Sequence, residues 1–433
     1  MARLVADLAP LRRHRHFRHL WAGQLVSGMG SQLTVVGVSF QTYRLTHSSF
    51  MVGLVSLAQL FPLLVGSIGG GPLVDSSDRR RILVLSQLLM AACSGGLAAN
   101  AFVPHPRLWP LFACTAASAL GQGVNNPARR AAVTMLVPPE DITQAVALQT
   151  MNLQWAFVVG PSLAGLLIGV AGLGTVYAID VGTFSLSVAL TLPLPTLVPK
   201  GGGRRAGVES IVEGFRFLRG QRLLASTFWI DLDAMIFGMP RAVFPALGTG
   251  FFGGGAGVVG LLYAAPGLGG LVGSVLSGWV SRVRHQGRAV VVSVCVWGAS
   301  VAVFGLVPVL WVGLSLLVLA GAADVVSAVF RQAILQSTVP EHLQGRLSGV
   351  FFGVVAGGPR LGDAETGAAA AIGGPQFAVW SGGVACLIGV ALLVWRIPEL
   401  WRTPGEAGLT SADSHVVTAI GEATAELSES PPP

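Results

Sequence analysis

The chain has 433 residues, a formal charge of +7 and a composition that is 52% hydrophobic and only 11% charged, with 58 glycines. Such a chain is too apolar for a domain whose only solvent is water. A nucleic-acid-binding domain gathers its basic residues on one polar face, whereas here the arginines stand between long apolar runs, so nucleic acid is excluded as a partner and the bilayer takes its place.

Five arginines precede the first apolar run, residues 20–43, which holds 24 uncharged residues and is closed by Arg44. As a helix that run rises about 36 Å against a hydrocarbon core of about 30 Å. It is too long for a cleavable leader and reads as a first span. Further apolar runs follow at about 48–74, 82–103, 108–128, 145–170, 174–195, 223–247, 256–280, 289–309, 311–330, 348–372 and 376–396. They predict an all-α membrane protein with twelve transmembrane helices.

Lys and Arg test that list, because loops on the cytoplasmic side carry the excess. Of the 27 Lys and Arg, only Arg44 and Arg107 fall in loops assigned outside, and Arg241 and Arg360 fall within spans. The rest lie in the N-terminus, the alternate loops and the tail, which places both termini in the cytoplasm of a cell (inner) membrane protein. The expected organisation is a cytoplasmic segment 1–19, a six-helix bundle 20–198, a cytoplasmic linker 199–222, a second six-helix bundle 223–400 and a disordered tail 401–433. Within the linker, residues 208–218 read as an amphipathic piece on the membrane surface. Cys93, Cys114, Cys295 and Cys386 fall in apolar spans without metal-ligand spacing, so neither a disulfide nor a metal site is expected.

The two halves repeat. Gly71-Pro72-Leu73-Val74-Asp75 leading to Arg81 matches Gly278-Trp279-Val280-Ser281-Arg282 leading to Arg288, at an offset of 207. Arg130 with Pro139-Glu140 matches Arg331 with Pro340-Glu341 at 201, and Gly160-Pro161-Ser162-Leu163-Ala164-Gly165 matches Gly358-Pro359-Arg360-Leu361-Gly362-Asp363 at 198. Nearly constant offsets across three loci predict two pseudo-symmetric bundles.

An ionisable group at mid-bilayer costs about 2.5 to 3.5 kcal/mol on insertion scales, so each one needs a reason. Eight fall within spans: Asp180, Asp231, Asp233, Arg241, Asp324, Arg360, Asp363 and Glu365. Arg360 and Asp363 are three residues apart and share a helix face, so they can pair or exchange partners, and Asp363 can then take a proton. Asp231 and Asp233 lie about 200° apart around their helix and cannot face one cavity, and Asp231 is the one assigned to it. Glu365 is expected near a helix break. Gln24 and Gln32, eight residues apart, are expected on one face toward a pore. The candidates for substrate binding and proton coupling are therefore Gln24, Gln32, Asp180, Asp231, Arg241, Asp324, Arg360 and Asp363. Trp155, Phe157, Phe184, Phe237, Phe244, Phe351 and Phe352 are read as packing or lipid-facing aromatics. No nucleophile elbow, metal-ligand spacing or phosphate-binding loop is present, so neither an enzyme nor an ATP-driven pump is expected, and no cofactor.

Gly71, Leu73, Asp75, Arg79, Arg80 and Arg81 resemble the signature loop of the major facilitator superfamily, with Ser76 and Asp78 departing from it. The resemblance covers about residues 15–400 and implies the major facilitator fold, with a small-molecule substrate cavity between the bundles. It further implies that Gly71, Asp75 and Arg79 to Arg81 act as a gating latch. Gly160-Pro161-x-x-Ala164-Gly165 is similar to a fifth-helix motif of the superfamily's exporters and proton antiporters. Residues 231–247 and 358–363 resemble the enterobactin-exporter branch, which implies export of a catecholate siderophore driven by the proton gradient, by a monomer. Drug or macrolide efflux is the alternative within the superfamily, and a non-transporting sensor the alternative outside it. Two departures bear on proton coupling: relatives often carry an acid where Ser31 stands, and drug antiporters an arginine where Ala119 stands.

Overall fold

The computed structural model describes residues 8–198, 222–276, 283, 285–338 and 341–402. The expected linker up to residue 221, the tail beyond residue 402, the repeat copy at 278–282, Pro340 and the Phe351 and Phe352 side chains lie outside the described residues. Among the described residues there are helices and turns and no strand.

The first span is Arg15–Thr46, a helix of 32 residues. It is about 48 Å long. It begins five residues before the apolar run because nothing between Arg15 and Trp21 breaks it, so His16 and His19 stand on a helix rather than in a leading segment. A short helix, Ala9–Arg13, precedes it with Pro10 in its first turn, where a missing N–H is harmless. The second span is Ser49–Ala58 continued by Leu60–Ser76. The third is Arg79–Phe102 and the fourth Trp109–Leu136.

The fifth and sixth spans form one helical assignment, Ile142–Thr191, divided at Gly172 with φ 82° and ψ 170°. The eleventh and twelfth form another, Glu341–Arg396, divided at Gly374 with φ 86° and ψ 170°. A positive φ of this kind belongs to glycine. The two glycines are 202 residues apart, so the same corner with the same backbone geometry is built in each half. The break on the eleventh to twelfth helix thus falls at Gly374 and not beside Glu365.

The seventh span is Arg222–Phe237, interrupted at residues 238–240 and resumed by short turns Arg241–Val243, Phe244–Ala246 and Leu247–Phe251. Gly255–Leu276, Gln286–Phe304 and Leu310–Thr338 are the eighth, ninth and tenth. Seven of the described helices are long and apolar enough to cross a membrane. Two of these are the ones folded at Gly172 and Gly374, and each crosses twice. The three remaining legs, the first, fourth and seventh, are the more polar ones, and all three face the central cavity.

The two faces of the bundle can be told apart by their loops. One, here the terminal face, carries the Ala9–Arg13 helix and the turns at 77–78 and 137–141, and the other carries Gly172, Gly374 and the turns at 47–48 and 305–309. On the terminal face, His14 Nε2 lies 2.9 Å from Asp141 Oδ2, tying the N-terminal segment to the start of the fifth span. Asp78 caps the third span: its Oδ1 accepts from the backbone N–H of Arg80 at 3.0 Å and of Leu197 at 2.9 Å.

The halves meet along two seams of small residues. On one, the eighth span lies on the fifth: a Cβ on Gly260 would stand 2.6 Å from the Pro161 carbonyl oxygen and 2.8 Å from the Gly165 Cα. On the other, Gly53 of the second span lies on the backbone of Asp363 and Ala364, and a Cβ on Gly367 would stand 2.8 Å from the Ser49 carbonyl oxygen. Backbones approach this closely in membranes only where side chains are absent. Among the described residues the eleventh span packs along Ser49–Ala58 and only touches Leu60–Ser76.

Candidate functional site

Between the halves lies a cavity of about 320 Å³. Its N-terminal wall is uncharged save for one acid and rich in hydroxyls, among them Ser31, Thr34, Ser39 and Ser94, with Gln32 and Gln122. Its C-terminal wall carries Arg241, Arg360, Asp363 and the Tyr263 ring. Charge therefore sits mainly on one side of the space and neutral donors and acceptors on the other.

The break in the seventh span delivers Arg241. Met239 and Pro240 interrupt the helix, and Pro240 has no N–H to give. The carbonyls released are satisfied from neighbouring spans: Trp297 Nε1 donates to the Gly238 oxygen at 2.8 Å, and the Tyr263 hydroxyl donates to the Arg241 oxygen at 2.9 Å. Irregular backbone is tolerated at membrane depth only where protein or a cavity satisfies it, as here. The Arg241 Nε is buried without a hydrogen-bond partner among the described residues.

Arg360 and Asp363 come from one face of the eleventh span, and both line the cavity as their spacing predicts. The partner of Asp363, however, comes from the other half: the Ser56 hydroxyl donates to Asp363 Oδ2 at 2.5 Å. Its Oδ1 is buried with no hydrogen-bond partner among the described residues. One cavity thus holds a buried donor on Arg241 and a buried acceptor on Asp363, each without a hydrogen-bond partner among the described residues.

Asp180 of the sixth span is 1% exposed and lines the same cavity from the N-terminal side. Three hydroxyls donate to it: Thr34 and Ser94 to Oδ2, each at 2.6 Å, and Thr183 to Oδ1 at 3.1 Å. Gly30 lets the first span lie directly against Asp180 and Thr183. An acid absent at Ser31 of the first span is thus presented to that span from the sixth.

Asp231 and Asp324 lie elsewhere. Neither lines the cavity; both flank Arg331 of the tenth span, at 2.7 Å for Asp231 and 4.0 Å for Asp324. Arg331 is 4% exposed and inside the helix, one residue past the expected span 311–330. Its match to Arg130 across the repeat was the available signal. Of the two glutamines, Gln32 lines the cavity and Gln24 does not, its Nε2 being buried without a described partner. Asp233 lies against Gly389 of the twelfth span, away from the cavity.

The motif residues lie at the ends of the second and third spans and along the fifth. Gly71 and Asp75 stand on the last turns of the second span, with Arg79, Arg80 and Arg81 opening the third. No hydrogen bond or ion pair to the Asp75 side chain occurs among the described residues. Gly160 lies against Gln32 of the first span, and Pro161 and Gly165 against Gly260 of the eighth, so one turn and a half of the fifth span touches both halves.

A family model described as transmembrane secretion effector matches residues 5–410. The chain belongs to this family of the major facilitator superfamily. Among the relatives of this chain are proteins named enterobactin exporter EntS. The one from Citrobacter koseri is 28% identical over 398 residues, 92% of this chain and 95% of the relative. The one from Shigella boydii is 28% identical over 413 residues, 95% of this chain and 99% of the relative. Solved structures share the fold at lower identity. The nucleoside transporter NupG superposes with a TM-score of 0.72 at 12% identity, over 89% of this chain and all (100%) of that one. The human organic anion transporter MFSD10 does so with 0.62 at 17% identity, over 89% and 99%. The chain is accordingly a multi-pass membrane transporter of twelve helices in two six-helix bundles.

Proposed function

We propose that the chain exports an anionic siderophore of the catecholate type across the cell membrane by alternating access, as a proton antiporter. The observation that carries this reading is that Arg241, Arg360 and Asp363 line one cavity, Asp363 being held from the opposite half by Ser56. Two guanidiniums suit an anion, because they offer fixed donors and a charge that cannot be titrated away. Relatives named enterobactin exporter support the substrate class and the direction.

Coupling follows from Asp363. The open Oδ1 of the carboxylate accepts from a hydroxyl of the anion seated on Arg241 and Arg360. Once the cavity is open to the far side, a proton arriving from there neutralises Asp363, removes that acceptor and releases the substrate. The proton is given up on the terminal side when the carrier returns and the carboxylate takes the next substrate. On the terminal face, Asp75 with Arg79 to Arg81 closes the path behind it, as a latch remade when the second and eleventh spans come together there. The Lys and Arg distribution supports a cytoplasmic terminal face.

The test is export in a strain lacking this gene under iron limitation, complemented with wild type or with Arg360→Ala, while extracellular and intracellular catecholate are measured. Export restored by wild type and not by Arg360→Ala supports the reading. Unchanged siderophore with accumulation of lipophilic drugs moves the protein to drug efflux instead.

A further inference from the structure

A second concavity, of about 730 Å³, lies on the terminal-face half of the N-terminal bundle between the second, third and fourth spans and residues 196–198. It shares no lining residue with the central cavity. We infer that this groove binds one anionic phospholipid from the leaflet on that face, with an acyl chain along its leucines and the phosphate at Arg81.

The groove is lined by Leu73, Leu85, Leu89, Leu120 and Val124, and Leu85 is 66% exposed. These side chains lie on the outside of the bundle, where the surrounding medium is lipid, and they form a furrow rather than a convex surface. A furrow holds a chain in one place where a convex surface only wets.

The polar end is confined to one rim, made by Ser76, Ser77, Asp78 and Arg81. Ser76 is committed to its own helix, donating to the Pro72 oxygen at 2.9 Å. Asp78 spends its Oδ1 on the backbone N–H groups of Arg80 and Leu197. Arg81 has no hydrogen bond or ion pair among the described residues, and Arg79 and Arg80 stand beside it in sequence. An exposed guanidinium at the headgroup level, above an apolar furrow, is complementary to a phosphate whose own chains fill the furrow. A zwitterionic lipid offers the same phosphate with its charge cancelled by its own headgroup cation, so Arg81 holds it less tightly.

The experiment uses the purified full-length protein in detergent, stripped of lipid and offered equal amounts of phosphatidylglycerol and phosphatidylcholine with identical chains, with retained lipid counted by native mass spectrometry. Wild type is expected to keep about one phosphatidylglycerol per chain in preference to phosphatidylcholine. Arg81→Gln should lower phosphatidylglycerol retention about five-fold and leave phosphatidylcholine unchanged, the size of effect typical for one basic residue at a membrane surface. Leu85→Trp, on an exposed position that tolerates bulk, should lower retention of both. Equal retention of the two lipids by wild type, an undiminished preference in Arg81→Gln, or displacement of phosphatidylglycerol by glycerol phosphate alone would each overturn the inference.

Discussion

Gly260 of the eighth span lies so near the fifth that a Cβ on it would stand 2.8 Å from the Cα of Gly165. Gly53 occupies the equivalent place 207 residues earlier, where it lies on the backbone of Asp363, the residue that replaces Gly165 in the other half. The same joint is therefore made twice, once plain and once carrying a carboxylate. In the proposed transport cycle both joints part on the face they close, and the charged one carries the titratable group.

Gly260→Val should jam the plain joint. Overpacking costs about 1 to 3 kcal/mol, which the halves relieve by separating at that face. Transport should fall at least about ten-fold. A cysteine introduced at Ser39 should react faster with an impermeant thiol reagent from the face of Gly172 than it does without Gly260→Val. An unchanged labelling rate would show that the joint does not gate.

Arg331→Met should cost about 3 to 5 kcal/mol of stability, because Asp231 and Asp324 are left facing each other without their cation. Adding Asp231→Asn to that variant should recover part of the loss, measured as thermal stability in detergent. If the double variant is no better than Arg331→Met alone, the ion pair at 2.7 Å is not what holds the seventh span to the tenth.

Trp297→Phe keeps an aromatic ring, at smaller volume, and removes the donor to the Gly238 carbonyl at the break in the seventh span. A buried acceptor left unpaired costs about 1 to 3 kcal/mol. Since the same break positions Arg241, the half-saturating substrate concentration should rise more than the maximal rate falls. Transport kinetics in proteoliposomes separate the two.

Asp78→Ala removes the cap of the third span and its hold on Leu197, at a cost of about 0.5 to 2 kcal/mol. Thermal stability should drop by that amount while substrate affinity stays unchanged, because the residue lies outside the central cavity. A changed affinity with unchanged stability would contradict the assignment of Asp78 to capping.

Much of the fold was legible because apolar runs, basic loops and glycine positions are local signals, and the halves repeat them. Gln32, Asp180, Arg241, Arg360 and Asp363 were legible as cavity residues because charge or amide in a span is costly enough to demand a use. What the sequence hid was facing and partnership. Asp231 was assigned to the cavity on its helical phase, yet phase cannot say which neighbour a face meets, and it meets Arg331. Ser56 gave no signal at all: hydroxyls are common in spans, and its partner Asp363 lies 307 residues away. Asp78 looked like a departure from a loop pattern and is a helix cap that the pattern does not require.

The central claim is that Asp363 couples proton uptake to export of an anion held by Arg241 and Arg360. The most direct measurement is efflux of a catecholate siderophore from vesicles across a range of external pH, for wild type and Asp363→Asn. Wild-type efflux should rise as the external proton concentration rises, and Asp363→Asn should lose that dependence while still binding the substrate. If Asp363→Asn transports with the wild-type pH profile, the carboxylate bound to Ser56 is a structural contact and the account of coupling is wrong.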